Sequence, residues 1–172
     1  MGSGTSGSYN GTKGGSQPYA SSYEVYPSAL KADKKDPDIY DSKTGYFKNP
    51  TAVTIEDAIK DNRIYVDGSK QMGKLTYVMD TDGNIIIGKR MNPNNSDKRC
   101  PHPTLIGGTN PKVQCAGIIT FDKGRIASVN TDSGHFRPNI KSLDKVNNAL
   151  QKMCDKNPDL FSQKSIWRKN KK

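Results

Sequence analysis

Apolar and polar positions alternate with a period of two in two parts of the chain, and with a period near 3.6 in a third. Lys74–Asp80 (KLTYVMD) and Asn84–Lys89 (NIIIGK) flank Thr81-Asp82-Gly83. β-Branched runs on both sides of a DG turn predict a hairpin, because the twist of such a turn matches that of its strands. Val113–Phe121 (VQCAGIITF) and Arg125–Asn130 (RIASVN), joined by Asp122-Lys123-Gly124, predict a second. A long connection rich in Pro and Asn, 91–112, separates the two. Upstream, Thr54-Ile-Glu-Asp57 sets an N-cap residue before two acids, which predicts a short helix over 55–61. After Pro138 the period lengthens, and Ile140, Leu143, Val146, Leu150 and Met153 form one apolar stripe. That stripe predicts a helix over 139–154, and the hairpin faces are the one sizeable surface it can cover. The expected class is α+β: a small antiparallel sheet built from two hairpins with a C-terminal helix packed on it, preceded by a disordered tail.

Composition explains the tail. Residues 1–22 hold six Gly and six Ser, and the first thirty carry two charges, Lys13 and Glu24. Six of the eight Tyr lie in the first 46 residues. Such a stretch buries too little apolar surface to offset the entropy of ordering it. With 172 residues, the chain has length for one domain and a tail. The expected organisation is a flexible Gly/Ser/Tyr-rich linker over 1–46, a folded domain over 47–165 and a basic tail over 166–172. No run of 18 apolar residues exists, which argues against a membrane-spanning helix. The opening MGSGTSGSYNGTKGGS has no apolar core of the kind a secretory signal needs, so no cleavable signal is expected.

Charge narrows the partner. Lys and Arg number 27 against 17 Asp and Glu, a net charge of +10 that favours an anionic partner. From residue 139 onward there are nine Lys/Arg against three Asp, so six of the ten net charges sit at one end. Within KSIWRKNKK, Trp167 beside Arg168 can stack on a base or pack the helix end, and the lysines can meet phosphate. The three cysteines, Cys100, Cys115 and Cys154, show no CxxC spacing and support neither a disulfide framework nor a zinc site. No P-loop and no GxGxxG is present.

Only two histidines exist, each in a loop of unusual residues. His102 lies in Pro101-His102-Pro103-Thr104-Leu105-Ile106-Gly107-Gly108. His135 lies in Thr131-Asp132-Ser133-Gly134-His135-Phe136-Arg137-Pro138, between a predicted strand and the predicted helix. Imidazoles titrate near neutrality and serve as acid or base, and loops on a rigid scaffold are where such groups concentrate. Ser133 and Arg137 add a hydroxyl and a fixed cation suited to a phosphate. The alternative is that Ser133, Gly134 and His135 merely build the turn. Cys115 with His135 can be written as a nucleophile–base pair, although a small thiol inside an apolar strand is ordinarily a packing residue. Two histidines and scattered Asp are too few to nominate a metal site. The only glutamates, Glu24 and Glu56, precede the predicted sheet, so the late Glu of common ADP-ribosyl transfer is missing.

The order of these motifs resembles a domain at the C-termini of bacterial polymorphic and insecticidal toxins and effectors. A similar block occurs in plant IQ-motif calmodulin-binding proteins. The matching residues are His102, Leu105, Gly107, Gly108, Val113, Ala116, Gly117 and Gly124, then Ser133, Gly134, His135, Phe136 and Pro138. The resemblance covers about 74–150. The family has Tyr where Phe136 stands and an acid where Ile118 follows Ala-Gly, and no IQ motif is present. The resemblance implies a toxin-like module delivered by an upstream carrier, secreted or injected, acting in the target-cell cytoplasm and countered by an acidic immunity protein.

Three functions follow as expectations. In the first, the domain acts on RNA or the translation apparatus as a metal-independent ribonuclease with no cofactor. His135 and His102 are then its acid–base pair, Ser133 assists them, and Arg137, Thr104, Phe136, Trp167 and Arg168 hold substrate. In the second it is an atypical ADP-ribosyltransferase using NAD at the same loop. In the third the Ser-Gly-His-Phe-Arg-Pro loop is a non-catalytic module that binds a partner.

Overall fold

A computed structural model describes residues 20–24, 40–41, 43–44, 46–47, 51–89, 91–92, 95–99, 103–106, 112–133, 136 and 138–169. In chain order the strands are β1 (Tyr23–Glu24), β2 (Tyr40–Asp41), β3 (Tyr46–Phe47), β4 (Val53–Thr54), β5 (Ile59–Lys60), β6 (Arg63–Val66) and β7 (Ser69–Lys70). They continue with β8 (Gly73–Met79), β9 (Ile85–Gly88), β10 (Met91–Asn92), β11 (Asn95–Arg99), β12 (Lys112–Val113), β13 (Cys115–Asp122) and β14 (Arg125–Val129). The helices are α1 (Pro103–Ile106), α2 (Leu143–Lys156) and α3 (Ile166–Lys169). The architecture is α+β, with a five-stranded antiparallel sheet ordered β14-β13-β8-β9-β4 and a three-stranded sheet β5-β6-β7.

Both predicted hairpins form the centre of the large sheet. β8 pairs with β9 through Met79↔Ile85 to Thr76↔Gly88, and Gly83 takes the positive φ of 92° that the turn between them requires. Asp80 closes this turn by accepting from the backbone N–H groups of Asp82 and Asn84 at 2.9 and 2.8 Å. β13 pairs with β8 from Cys115↔Met79 to Phe121↔Gly73, and turns back into β14 at Lys123-Gly124, both at positive φ.

The short helix expected over 55–61 is absent. Its cap contact exists, since the Asp57 N–H donates to Thr54 Oγ1 at 3.3 Å, and the Ala58 N–H reaches the Thr54 carbonyl at 3.1 Å. The chain then straightens, because Asp61 and Asn62 both sit at positive φ (51° and 65°) and close a hairpin in which Ile59 pairs with Ile64. Asp67-Gly68 makes the next turn the same way. The first of these two primed turns falls at the end of the expected helix, and such turns dictate strands on either side. The connection 91–112 likewise contains β10, β11 and α1, none of which its Pro/Asn content signals.

The C-terminal helix forms as expected with a shifted start. Asn139 caps a 3-10 turn, Ile140–Ser142, by accepting from the Lys141 N–H at 3.0 Å, and α2 follows. Val146, Leu150 and Cys154 are buried in the main core, with Leu143, Ala149 and Met153 half-buried around them. Period two divides the sheet residues between two faces. Leu75, Tyr77, Met79, Ile85, Ile87, Cys115, Ile119 and Phe121 pack under α2. Val78 and Ala116 face the other way and join Tyr23, Leu105, Val113 and Phe136 in a second, smaller core. The chain beyond α2 protects the β14 edge, where Ile126 bridges Phe161 and the Ser162 N–H donates to the Ile126 carbonyl at 2.9 Å.

Two findings refine the expected organisation. Tyr23 lies within the segment expected to be a linker, yet it is 2% exposed and β1 pairs with β12. Trp167 lies in the segment expected to be a basic tail, yet it is 1% exposed and belongs to the main core. Much of 1–46, including residues 1–19, lies outside the described residues.

Candidate functional site

β14 pairs with β13 only as far as Ile119↔Val129, so the Cys115–Ile118 end of β13 has no strand on that side. The segment 130–133 fills the gap. The Asn130 N–H donates to the Ile118 carbonyl at 3.0 Å, and Asn130 Oδ1 accepts from the N–H groups of Ile118 (2.9 Å) and Asp132 (3.0 Å). One amide side chain thus replaces a strand residue and starts a turn. The Tyr77 hydroxyl crosses from β8 to donate to the Asn130 carbonyl at 2.7 Å.

The crossing is tight. A Cβ on Gly117 would collide with the Asn130 carbonyl oxygen and lie 2.6 Å from its carbon and 2.9 Å from Thr131 Cα. All three neighbours are backbone, so glycine is required here for close approach rather than for an unusual φ. The Ala-Gly pair in the strand therefore fixes where the candidate loop passes.

Beyond that point the loop is polar and buried. Thr131 and Ser133 are each 1% exposed, and the Phe136 N–H donates to Ser133 Oγ at 3.3 Å. Asp132 is half-buried, and its Oδ2 accepts from Asn130 Nδ2 at 3.3 Å. Its Oδ1 is buried with no hydrogen-bond partner among the described residues. The loop ends at the capping Asn139 and at Ser142, whose Oγ meets the Tyr23 hydroxyl at 2.7 Å.

Of the residues expected to carry chemistry, Ser133 is in this loop and acts at least as a turn acceptor. Phe136 is buried in the small core. Its ring is enclosed, as expected for a packing residue, and offers no exposed face for a base. Thr104 lies in α1, but its side chain is outside the described residues. His102, His135 and Arg137, together with Cys100, Gly107, Gly108 and Gly134, lie outside them as well. Leu105, three residues after His102, and Phe136, next to His135, share the small core. Those two residues are thereby held on one face of the sheet.

Trp167 and Arg168 are not brought to that face. The Trp167 ring packs edge-on against Phe161 at 5.5 Å between centroids, within the main core, so it is not free to stack on a base. The Arg168 guanidinium donates to the Phe161 carbonyl at 3.2 Å. Both residues anchor the chain end.

Cys115 does not suit the role of nucleophile. Burial pushes its thiol up to about 11, and the Tyr77 hydroxyl lies 3.6 Å from its sulfur. A thiol kept neutral in an apolar strand is inert, since the thiolate is the reactive form. Burial likewise holds the Tyr77 phenol well above its ordinary range, reinforced by Cys115 and by the charge of Asp132. Sequence reasoning did not single out Tyr77, Asn130 or Asp132. The Asn130-x-Asp132 spacing is a turn signal that pointed at the last two.

Among the described residues no group of three or more His, Cys, Asp or Glu side chains lies close enough to hold a metal ion. Among them too, no helix is long and apolar enough to cross a membrane. No family model, curated protein or solved structure matches the chain.

Proposed function

We propose that the chain is a toxin or effector domain that cleaves RNA, with its site beside the small core that Leu105 and Phe136 share. The observation that carries this reading is the shared burial of Leu105 and Phe136 in one small core, each a near neighbour in sequence of a histidine. In the reaction, one neutral imidazole takes the proton of a ribose 2′-hydroxyl as its oxygen bonds to the adjacent phosphorus. The other, as imidazolium, gives a proton to the departing 5′-oxygen. Arg137 would support the phosphate, Ser133 would hold the loop through the Phe136 N–H, and the net charge of +10 would draw in the polyanion. The same reading includes delivery by a carrier, action in the cytoplasm of the target cell and neutralisation by an acidic immunity protein.

RNA incubated with the purified protein in EDTA tests it. Cleavage is expected, and His135→Ala or His102→Ala should slow it by about 10²-fold or more, the usual worth of a general acid or base. Intact RNA with the wild type, or an undiminished rate in His135→Ala, overturns the proposal.

A further inference from the structure

From the distribution of charge over the fold we infer that the exposed face of α2, with the 3-10 turn before it, binds the phosphate backbone of single-stranded RNA whatever its bases. Resting on the RNA-cleaving reading, this adds a substrate-binding surface apart from the groups proposed to react.

The excess of positive charge is local. Over 53–74, from β4 to the start of β8, four Lys and Arg meet four Asp and Glu. Over 141–169, from the 3-10 turn through α3, seven Lys and Arg meet three Asp. One of those three, Asp159, is engaged by Arg63 and Arg125 of the sheets, each at 3.0 Å. Only Asp144 and Asp155 are left to offset the seven cations.

The helix arranges these cations in a row. Val146, Leu150 and Cys154 turn inward to the main core, and Lys141, Asn148, Lys152 and Lys156 are exposed. Steps of four and seven residues return to one side of a helix. Lys145 shares that side and donates to the Ser21 carbonyl at 3.4 Å. Lys141 and Lys156 stand about 22 Å apart along the axis at the helical rise, the reach of a few nucleotides. Among the described residues none of Lys141, Lys152 and Lys156 has an ion-pair partner. Lys141 precedes the first turn of α2, where a cation opposes the helix dipole, so helix stability does not account for it. The row also begins at the small core, since the next residue, Ser142, meets the Tyr23 hydroxyl at 2.7 Å.

What the row lacks decides its occupant. The exposed residues of 141–156 are Lys141, Asp144, Asn148, Lys152, Asp155 and Lys156, with no apolar or aromatic side chain among them. A protein interface has an apolar centre in which lysine is depleted, and a helix lying on a membrane inserts an apolar face. A polyanion held by ammonium groups needs neither. One row of charges matches one backbone, which a single strand can follow. With no ring to stack on a base, contact is through phosphate and blind to sequence.

Two triple variants test this, each removing three exposed lysines. Lys141→Gln/Lys152→Gln/Lys156→Gln alters the row, and Lys60→Gln/Lys70→Gln/Lys74→Gln alters the charge-balanced segment. Both lower the net charge equally, so only placement distinguishes them. The probe is a fluorescent oligodeoxyuridine, titrated by anisotropy at several salt concentrations. It has the phosphodiester backbone of RNA but no 2′-hydroxyl, so the proposed reaction cannot cut it. Three lost phosphate contacts should reduce the slope of log affinity against log salt by about 2, and the affinity by about tenfold or more at about 0.1 M salt. The other triple should keep the wild-type slope, and a mixed-sequence oligonucleotide should bind as oligodeoxyuridine does. No binding by the wild type, equal losses in the two triples or an unchanged slope in the row variant each overturn the inference, and the ribonuclease reading stands if RNA is still cut. The expected slopes from a chain that leaves RNA intact reject the ribonuclease reading and keep the surface. Polyglutamate that displaces the probe at equal charge, with the same dependence on the three lysines, assigns the face to an acidic protein and overturns RNA as its occupant.

Discussion

Gly117 is the residue on which the candidate loop depends. Its missing side chain lets the Asn130–Thr131 backbone pass directly over β13, where Tyr77 and Ile118 then tie it down. Gly117→Ala puts a methyl into the Asn130 peptide, and backbone on both sides leaves little to yield. A loss of about 3 kcal/mol is expected, at the upper end for an overpacked site, measured by denaturant unfolding. Unchanged stability would show that the loop can pass elsewhere. Part of this was legible in the sequence: an Ala-Gly pair inside an apolar strand already suggests close approach of another backbone. What approaches is not legible, because Asn130 and Gly117 meet only after the β13–β14 turn has set the register. The same limit applies to Asp132. Its type and loop position can be read from the chain, but its pairing cannot, because that depends on Asn130, which accepts from the Asp132 N–H and donates to Oδ2.

At the scale of elements, Asp159 joins pieces that are distant in the chain. Directly after α2 its carboxylate meets Arg63 Nη1 at 3.0 Å, Asn62 Nδ2 at 2.7 Å and Arg125 Nη2 at 3.0 Å. The β5–β6 turn and the start of β14 are thus held to the end of the helix. Hydrogen bonds from Arg63 and then Asn62, with Arg125 adding to them, lower its carboxyl from 3.8 to about 2. The folded state therefore holds fewer protons than the unfolded state between these values. The group's stabilisation is complete above about pH 4 and is lost as the pH falls through 2. Asp159→Asn should flatten that part of the stability–pH curve, read from thermal unfolding between pH 4 and 2, with a small effect at pH 7 because the cluster is exposed. An identical slope in the variant would refute the linkage. The elements themselves were legible where one period dominates, as in the two central hairpins and α2. They were not legible over 55–61, where Ile55, Ala58 and Ile59 follow the three-to-four spacing of a helix. There the Asp61-Asn62 turn overrides the pattern by pairing Ile59 with Ile64.

Over the whole molecule, one sheet divides two cores of unequal size. α2, α3 and Phe161 cover the inner face, whereas the outer face is closed by pieces gathered from 20–24, α1, β12 and the candidate loop. Composition marks 1–46 as linker because it is rich in Gly and Ser, and that average hides Tyr23, which is built into a core. Tyr23 puts its ring among Val78, Leu105, Val113, Ala116 and Phe136, and its hydroxyl meets Ser142 at 2.7 Å and accepts from the Ala20 N–H at 3.1 Å. The Lys145 ammonium adds a bond to the Ser21 carbonyl at 3.4 Å. The segment therefore closes the same small core that ties α1 to the candidate loop, and the site cannot be independent of it. Two substitutions separate its contributions. Tyr23→Phe removes the hydroxyl and should cost about 1 kcal/mol, since Ser142 loses a buried partner. Tyr23→Ala should cost about 3 kcal/mol by emptying the ring's place in the core. If the small core positions the histidine segments, Tyr23→Ala should also slow RNA cleavage at temperatures where the protein remains folded, while Tyr23→Phe slows it little. Chemical denaturation gives the first pair of numbers and the cleavage assay the second. A Tyr23→Ala protein as stable as wild type would mean that the outer face closes without the N-terminal segment. One that is destabilised but cuts RNA at the full rate would place the reactive groups outside the reach of the small core.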